Sequence, residues 1–346
     1  MSGALEHLAT LTGSRDRDVL DVTLVSAFRD LLRPQLVAIY RCVGEPGRQR
    51  WLTRALLLPG DAVATADPLW VDHTSLAPLD SAPDRLRCMR NNQPLAVAAC
   101  AGAAARTYLP LDGEHELVGV LEIHSEAALD EEALRLVGAV LRVYRNFQGL
   151  LDYSERDTLT GLLNRKTFDV CFQRLTEQVQ AAEKVRALTH DRRSVAAGSV
   201  WLGVVDIDLF KRVNDLHGHL IGDEVLLLLG RLLRSSFRCY DHLFRFGGEE
   251  FVVLMRCGGV ADAMGAFDRL RRNVERFVFP KVGHITVSVG VAQLRGGDTP
   301  TSCFERSDQA LYCAKQQGRN RLRDHAELVA QGHLKDVARD SDVELF

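Results

Sequence analysis

Two glycines between apolar runs constrain this chain more than any other feature. Gly247 and Gly248 follow Leu243, Phe244 and Phe246 and precede Phe251, Val252, Val253 and Leu254. Runs of that composition read as strands, and paired glycines supply the positive φ of a tight hairpin without steric cost. Glu249 and Glu250 come directly after the glycines. On a strand their side chains point to opposite faces, so a cluster on one side takes at most one of them.

A second acidic interruption lies upstream. Residues 201–209 read as a buried strand, yet Asp206 and Asp208 break its apolar run near the C-terminal end. Charge at such a position is costly unless it is paired or bound to metal. The two aspartates share one face of the strand, with the Ile207 carbonyl between them. Hard divalent ions such as Mg²⁺ take carboxylate and carbonyl oxygens of this kind.

The chain of 346 residues is longer than one typical core supports and predicts two domains. A net charge of −3 gives no global basic field for nucleic acid. Eight cysteines without a CxxC pair give no zinc or disulfide framework and read as reduced thiols. The longest apolar tract, residues 95–105, is too short to span a bilayer, and the N-terminus lacks a signal-peptide layout. The expectation is a cytoplasmic protein with no membrane or nucleic-acid partner.

Eight of the ten prolines lie at or before Pro110, and residues 59–94 read as long loops. Residues 16–32 read as a helix, 36–43 and 51–58 as strands, and 106–111 and 117–124 as a further strand pair. This order resembles a GAF-type sensor domain at the level of pattern alone. His73, Cys88, His115 and His124 are metal or haem ligand types, but none stands at a ligand spacing. Residues 130–154 carry no proline, and Val137, Val140, Tyr144, Phe147 and Leu151 step 3, 4, 3, 4. That spacing predicts a parallel coiled-coil seam joining sensor to effector across a dimer.

Longer motifs surround the two acidic sites. Asp157-Thr158-Leu159-Thr160-Gly161-Leu162-Leu163-Asn164-Arg165 resembles the DxLTGLxNR turn that opens GGDEF domains, and a helix is expected from about Arg165. Residues 206–223 match DxDxFKxxNDxxGHxxGD, and Gly-Gly-Glu-Glu-Phe resembles the signature hairpin. Residues 285–292 alternate as a core strand, and residues 307–320 resemble the closing ADxALYxAKxxGRN helix. The chain is thus similar to the GGDEF family, the diguanylate cyclases, over residues 155–325. The resemblance implies that Asp206, the Ile207 carbonyl and Glu249 hold Mg²⁺ or Mn²⁺. It implies that Leu209, Phe210 and Lys211 meet the triphosphate and that Asn214 and Asp223 read guanine. Lys315 and Arg319, four apart and so on one helix face, contact phosphate. The resemblance makes Glu249 and Glu250 the expected catalytic carboxylates, with the base left open between them.

Arg238 and Asp241 stand where many family members carry an RxxD inhibitory site for their product. A guanidinium grips phosphate bidentately. Arg192, Arg269, Arg271 and Arg272 are the candidates to complete that site. The expected fold is α/β (α+β): a GAF-like sheet-and-helix domain over 1–129, a linker helix over 130–156, and a catalytic domain over 157–325. The catalytic domain is expected to be a palm-like, mostly antiparallel sheet flanked by helices, followed by a tail over 326–346. The expected activity joins two GTP into cyclic di-GMP in a homodimer, under product inhibition and sensor control. A silent cyclic di-GMP receptor and a sensor-driven dimer scaffold are the alternatives. No EAL-type segment follows, so no phosphodiesterase activity is expected.

Overall fold

Alternating apolar residues build one sheet in each half of the chain. The computed structural model describes residues 17–44, 47–67, 75–100, 103–111, 119–189, 198–238 and 240–335. It divides into two units, Met1–Ser154 and Glu155–Phe346. Among the described residues no helix is long and apolar enough to cross a membrane.

The first unit runs α1 (Arg17–Leu32), β1 (Leu36–Val43), β2 (Arg50–Leu57), β3 (Ala77–Pro78), α2 (Pro83–Asn91), β4 (Leu95–Val97), β5 (Ala105–Leu111), β6 (Gly119–Ser125) and α3 (Glu131–Glu155). The strands form an antiparallel sheet in the order β3-β2-β1-β6-β5-β4. Val37, Ile39, Leu109, Leu111, Leu121 and Ile123 pack on one face with Leu20, Leu24 and Phe28 of α1 and with α3. Tyr108 and Val120, out of phase with them, pack with Cys88 of α2. Each fully buried aliphatic side chain contributes about 1.5–3 kcal/mol.

Two expectations are corrected here. Residues 83–91 form a helix within the stretch read as loops. Pro83 starts it and Asn92, at φ 49°, stops it. The predicted coiled-coil seam is also consumed within its own unit. Val137, Val140, Tyr144 and Leu151 are 0–4% exposed and belong to the core beneath α3. Over two or three heptads a 3.5-residue seam and a 3.6-residue amphipathic stripe coincide, and spacing does not say what covers them.

The expected ligand types of this unit are engaged or buried. His124 Nε2 lies 2.6 Å from Glu122, which also accepts from Arg85 Nη2 at 2.6 Å. The Cys88 thiol is pushed up to about 11 by burial. His73 and His115 lie outside the described residues.

The second unit runs β7 (Leu163–Asn164), α4 (Arg165–Thr189), β8 (Ser199–Ile207), α5 (Phe210–His217), α6 (His219–Ser236), β9 (His242–Gly247), β10 (Glu250–Cys257), α7 (Val260–Arg276), β11 (Val287–Gln293), α8 (Pro300–Gln316), β12 (Leu322–Asp324) and α9 (His325–Ala330). The sheet order is β12-β11-β8-β10-β9-β7, antiparallel except at its two outermost pairs. This is the mostly antiparallel, helix-flanked sheet expected. Val205, Ile207, Phe251, Val253, Val287 and Val289 pack against Phe210, Leu229 and Phe267 of the helices.

The opposite face carries α8. A Cβ on Gly290 would lie 2.1 Å from the Ser307 carbonyl oxygen, so only glycine lets this helix lie so close to β11. The contact places the C-terminal end of α8 beside the end of β8. The expected tail boundary at residue 326 falls inside α9, and residues 336–346 lie outside the described residues.

Candidate active site

The register of three strands assembles the site. Asp206 on β8 is paired with Glu250 on β10 and with Ser288 on β11. Directly opposed residues share a face and hold their Cβ atoms about 4.5–5.5 Å apart, and like charges so opposed are destabilising. One cation offsets them: Lys315 Nζ, from the last turn of α8, lies 2.7 Å from Asp206 Oδ1.

The electrostatics follow from that crowding. Burial raises the Asp206 pKa, and Asp208 and Asp308 push the same way while Lys315 opposes them. Glu249 is raised by burial, then by Asp206 and Glu250. Glu250 is raised by burial, then by Asp308 and Asp206. Asp308 stands seven residues before Lys315 on α8, two turns away on the same face. It lies within the 307–320 motif, where spacing alone gives it no role.

The hairpin corrects the expectation for the two glutamates. β9 ends at Gly247 and β10 begins at Glu250, so the turn residues are Gly248 and Glu249. Glu250 pairs with Gly247 and Phe251 with Arg245, which leaves Phe246 as a bulge. Glu249 therefore sits in the turn, strand alternation does not govern it, and both carboxylates feel Asp206. Arg245 fixes the turn. Its guanidinium donates to the Gly248 carbonyl at 2.9 Å and to Asp157 at 3.0 Å, joining the hairpin to the opening motif.

Asp208 has a different task from Asp206. It accepts from Ser288 Oγ at 2.7 Å, Thr286 Oγ1 at 2.6 Å and the Asn320 backbone N–H at 2.9 Å. Leu209 follows at φ 61°, outside the strand, and caps α5. Phe210 is buried, so it offers a ligand only its backbone N–H, whereas Lys211 is exposed. The first N–H groups of a helix lack intrahelical partners and form an anion site.

Asn214 lies against the start of α6. A Cβ on Gly222 would fall 2.0 Å from Asn214 Oδ1, so glycine there brings Asn214 beside the exposed Asp223. Arg319 departs from its expected setting. α8 ends at Gln316, and Arg319 lies beyond it at φ 62°, so it does not share a helix face with Lys315. It stays near the end of β8 through its neighbour Asn320, which donates to Asp208.

At the other candidate site, Asp241 accepts the Arg238 backbone N–H at 2.9 Å, and Arg238 Nη1 donates to Tyr240 Oη at 2.6 Å. Burial pushes the Asp241 carboxyl up to about 6. Of the expected arginines, Arg269 bears electrostatically on Asp241 and donates to the Ser236 carbonyl at 2.6 Å. Arg271 and Arg272 pair with Asp268, and Arg192 lies outside the described residues.

Among the described residues no three His, Cys, Asp or Glu side chains stand close enough to hold a metal. Mg²⁺ usually takes one or two protein carboxylates and completes its shell with waters and substrate phosphates.

Comparison with known proteins places this chain in a family. The model of "Diguanylate cyclase, GGDEF domain" matches residues 154–321. Diguanylate cyclase DgcZ of Escherichia coli is 32% identical over 258 residues, covering 73% of this chain and 77% of that protein. Diguanylate cyclase DgcP of Pseudomonas aeruginosa is 40% identical over 169 residues, covering 48% of this chain and 23% of that one. The crystal structure of the coiled coil and GGDEF domain of DgcB from Caulobacter crescentus, in complex with c-di-GMP, is 26% identical with a TM-score of 0.47. It covers 56% of this chain and all of that one. The chain spans less than half the length of several curated relatives it matches. The chain belongs to the GGDEF family of diguanylate cyclases.

Proposed function

We propose that this chain condenses two GTP into cyclic di-GMP and two pyrophosphates. The observation that carries the reading is the row of Asp206 and Glu250 beside the start of α5, with Lys315 bonded to Asp206 and Arg165 also acting on Glu250. Each 3′-hydroxyl attacks the α-phosphate of the other nucleotide. A new P–O bond forms, the bond to pyrophosphate breaks, and the hydroxyl proton passes to Glu249 or Glu250.

Asp206, the Ile207 carbonyl and Glu249 would hold Mg²⁺ or Mn²⁺, which lowers the hydroxyl pKa and neutralises the leaving group. The N–H groups at Leu209, Phe210 and Lys211, with Lys315 and Arg319, grip the triphosphate. Asn214 and Asp223 read the guanine edge.

One catalytic unit holds one GTP, so the reaction takes a homodimer with the two sites face to face. Cyclic di-GMP returns as inhibitor at Arg238 and Asp241, with Arg269 as the third group. The first unit acts as a GAF-like sensor and α3 as the link, in a cytoplasmic protein that draws on the GTP pool. Incubation of the purified protein with GTP and Mg²⁺, followed by chromatography of the products, tests the reading. Cyclic di-GMP supports it. GTP recovered unchanged from folded protein overturns it.

A further inference from the structure

Asn320 follows the arginine expected to grip phosphate, and every hydrogen-bonding group it has beyond its own carbonyl is in use. Its backbone N–H donates to Asp208 Oδ2 at 2.9 Å. Its side-chain Nδ2 donates to Glu275 Oε1 at 2.6 Å, and its Oδ1 accepts from Arg271 Nη1 at 3.0 Å. Glu275 and Arg271 are one turn apart on α7 and bonded to each other at 2.9 Å. Arg271 is held in turn by Asp268 at 2.9 Å.

Two consecutive residues here have positive φ, Arg319 at 62° and Asn320 at 46°. Asparagine tolerates this region, but arginine stays there only where its surroundings over-determine it, as at ligand clamps. The same Asp208 oxygen takes Thr286 Oγ1, and the other takes Ser288 Oγ. Asp208 directly precedes Leu209, which is itself at φ 61°. The phosphate-facing steps at Leu209 and Arg319 are thus two left-handed turns tied through Asp208 and Asn320 and braced on α7.

We propose that Asn320 is the positioning residue of the triphosphate grip. It holds the Arg319 turn against the Leu209 turn so that both present donors to one polyphosphate. The inference rests on the proposed reading of Leu209, Phe210, Lys211 and Arg319 as phosphate contacts. It gives the residue after the arginine a task that touches no substrate.

The test uses the full-length protein with Mg²⁺ and 3′-deoxy-GTP, which lacks the attacking hydroxyl and so binds without turnover. Asn320→Gly keeps the positive φ and the N–H to Asp208 but removes the brace to α7. Calorimetry should show 3′-deoxy-GTP affinity falling at least tenfold while GMP affinity holds, because the guanine contacts lie on α5 and α6. Glu275→Gln, which keeps an acceptor for Asn320, should retain triphosphate affinity. Two outcomes overturn the inference alone: unchanged 3′-deoxy-GTP affinity in Asn320→Gly, or equal losses for GMP and triphosphate, which marks a merely structural role. Failure of the folded wild type to bind either nucleotide overturns the proposed function together with it.

Discussion

The two units treat buried charge in opposite ways. In the first, Asp21 accepts from the Tyr144 hydroxyl and from Arg54 Nε at 3.3 Å, and Tyr144 accepts from Arg41 and Gln148 at 2.9 Å each. Asp21, Arg41 and Arg54 each have a partner here, and the cluster locks α1, two strands and α3 together. In the second, Asp206, Glu249, Glu250 and Asp308 act on one another, and Lys315 bonds only one of them. A closed network specifies a fold. An acid-rich cluster with one bonded cation invites another cation and an anionic substrate. The same contrast recurs two residues apart, where Asp208 is spent on bonds to Thr286, Ser288 and Asn320 while Asp206 meets Lys315.

The largest effect should come from opening the closed cluster. Arg41→Met removes one of the two guanidinium groups beside the buried Asp21, Arg41 at 3.8 Å and Arg54 at 3.3 Å, and breaking a buried pair costs about 3–5 kcal/mol. Thermal denaturation should show the first unit melting well below the wild type. An unchanged melt would mean that Arg54 alone neutralises Asp21.

The next should come from the acid cluster, with the sign reversed. Asp206→Asn and Glu249→Gln should keep or raise thermal stability, because each relieves like-charge crowding. Turnover of GTP should nonetheless fall by about 10²–10³, the cost of losing one preorganised charge-stabilising group. Wild-type turnover in either variant at saturating Mg²⁺ would remove that residue from the site.

Asp241 sharpens the comparison through pH. Its folded pKa of about 6 lies above the ordinary 3.8, so the unfolded chain releases its proton first as pH rises. Stability from this group is full below about pH 4, falls as pH rises to about 6, and is flat above. Two pH units correspond to at most about 3 kcal/mol. Asp241→Asn should abolish that decline, raising the melting temperature at pH 7.5 and leaving it little changed at pH 4. A parallel shift at both pH values would contradict the assignment.

The smallest effect concerns feedback. Arg238→Ala should raise the cyclic di-GMP concentration for half-inhibition about tenfold or more, as expected for a charge-assisted bond worth about 1.5–3 kcal/mol. An identical inhibition curve would reduce Arg238 to its contact with Tyr240.

Local signals made much of this legible in the sequence. The run from Trp201 to Asp208, the glycine pair and the turn at Asp157 each announce themselves within a few residues. What stayed hidden depends on partners far away in the chain. The bulge at Phe246 moves Glu249 into the turn, and only pairing with Arg245 and Gly247 reveals it. Arg319 leaves the helix after Gly318, whose φ of 113° ends it, and Asn320 then reaches Asp208, a contact across 112 positions that local spacing does not show. The stripe on α3 reads equally as a dimer seam or as a core face until the sheet beneath it is known. Asp308 was missed for the opposite reason. Its seven-residue spacing from Lys315 was in plain view, but nothing local gave it a neighbour.

The central claim is that the under-compensated acid cluster is where a divalent cation and, in each chain, one GTP are put to work. Its most direct test is pyrophosphate release from GTP across a Mg²⁺ titration, in the wild type and in Asp206→Asn side by side. The account predicts saturable, Mg²⁺-dependent release at two pyrophosphates per cyclic di-GMP in the wild type, and release at least 100-fold slower at every Mg²⁺ concentration in the variant. Equal release from the two proteins, or dinucleotide formed by the wild type in the absence of any divalent cation, would contradict it.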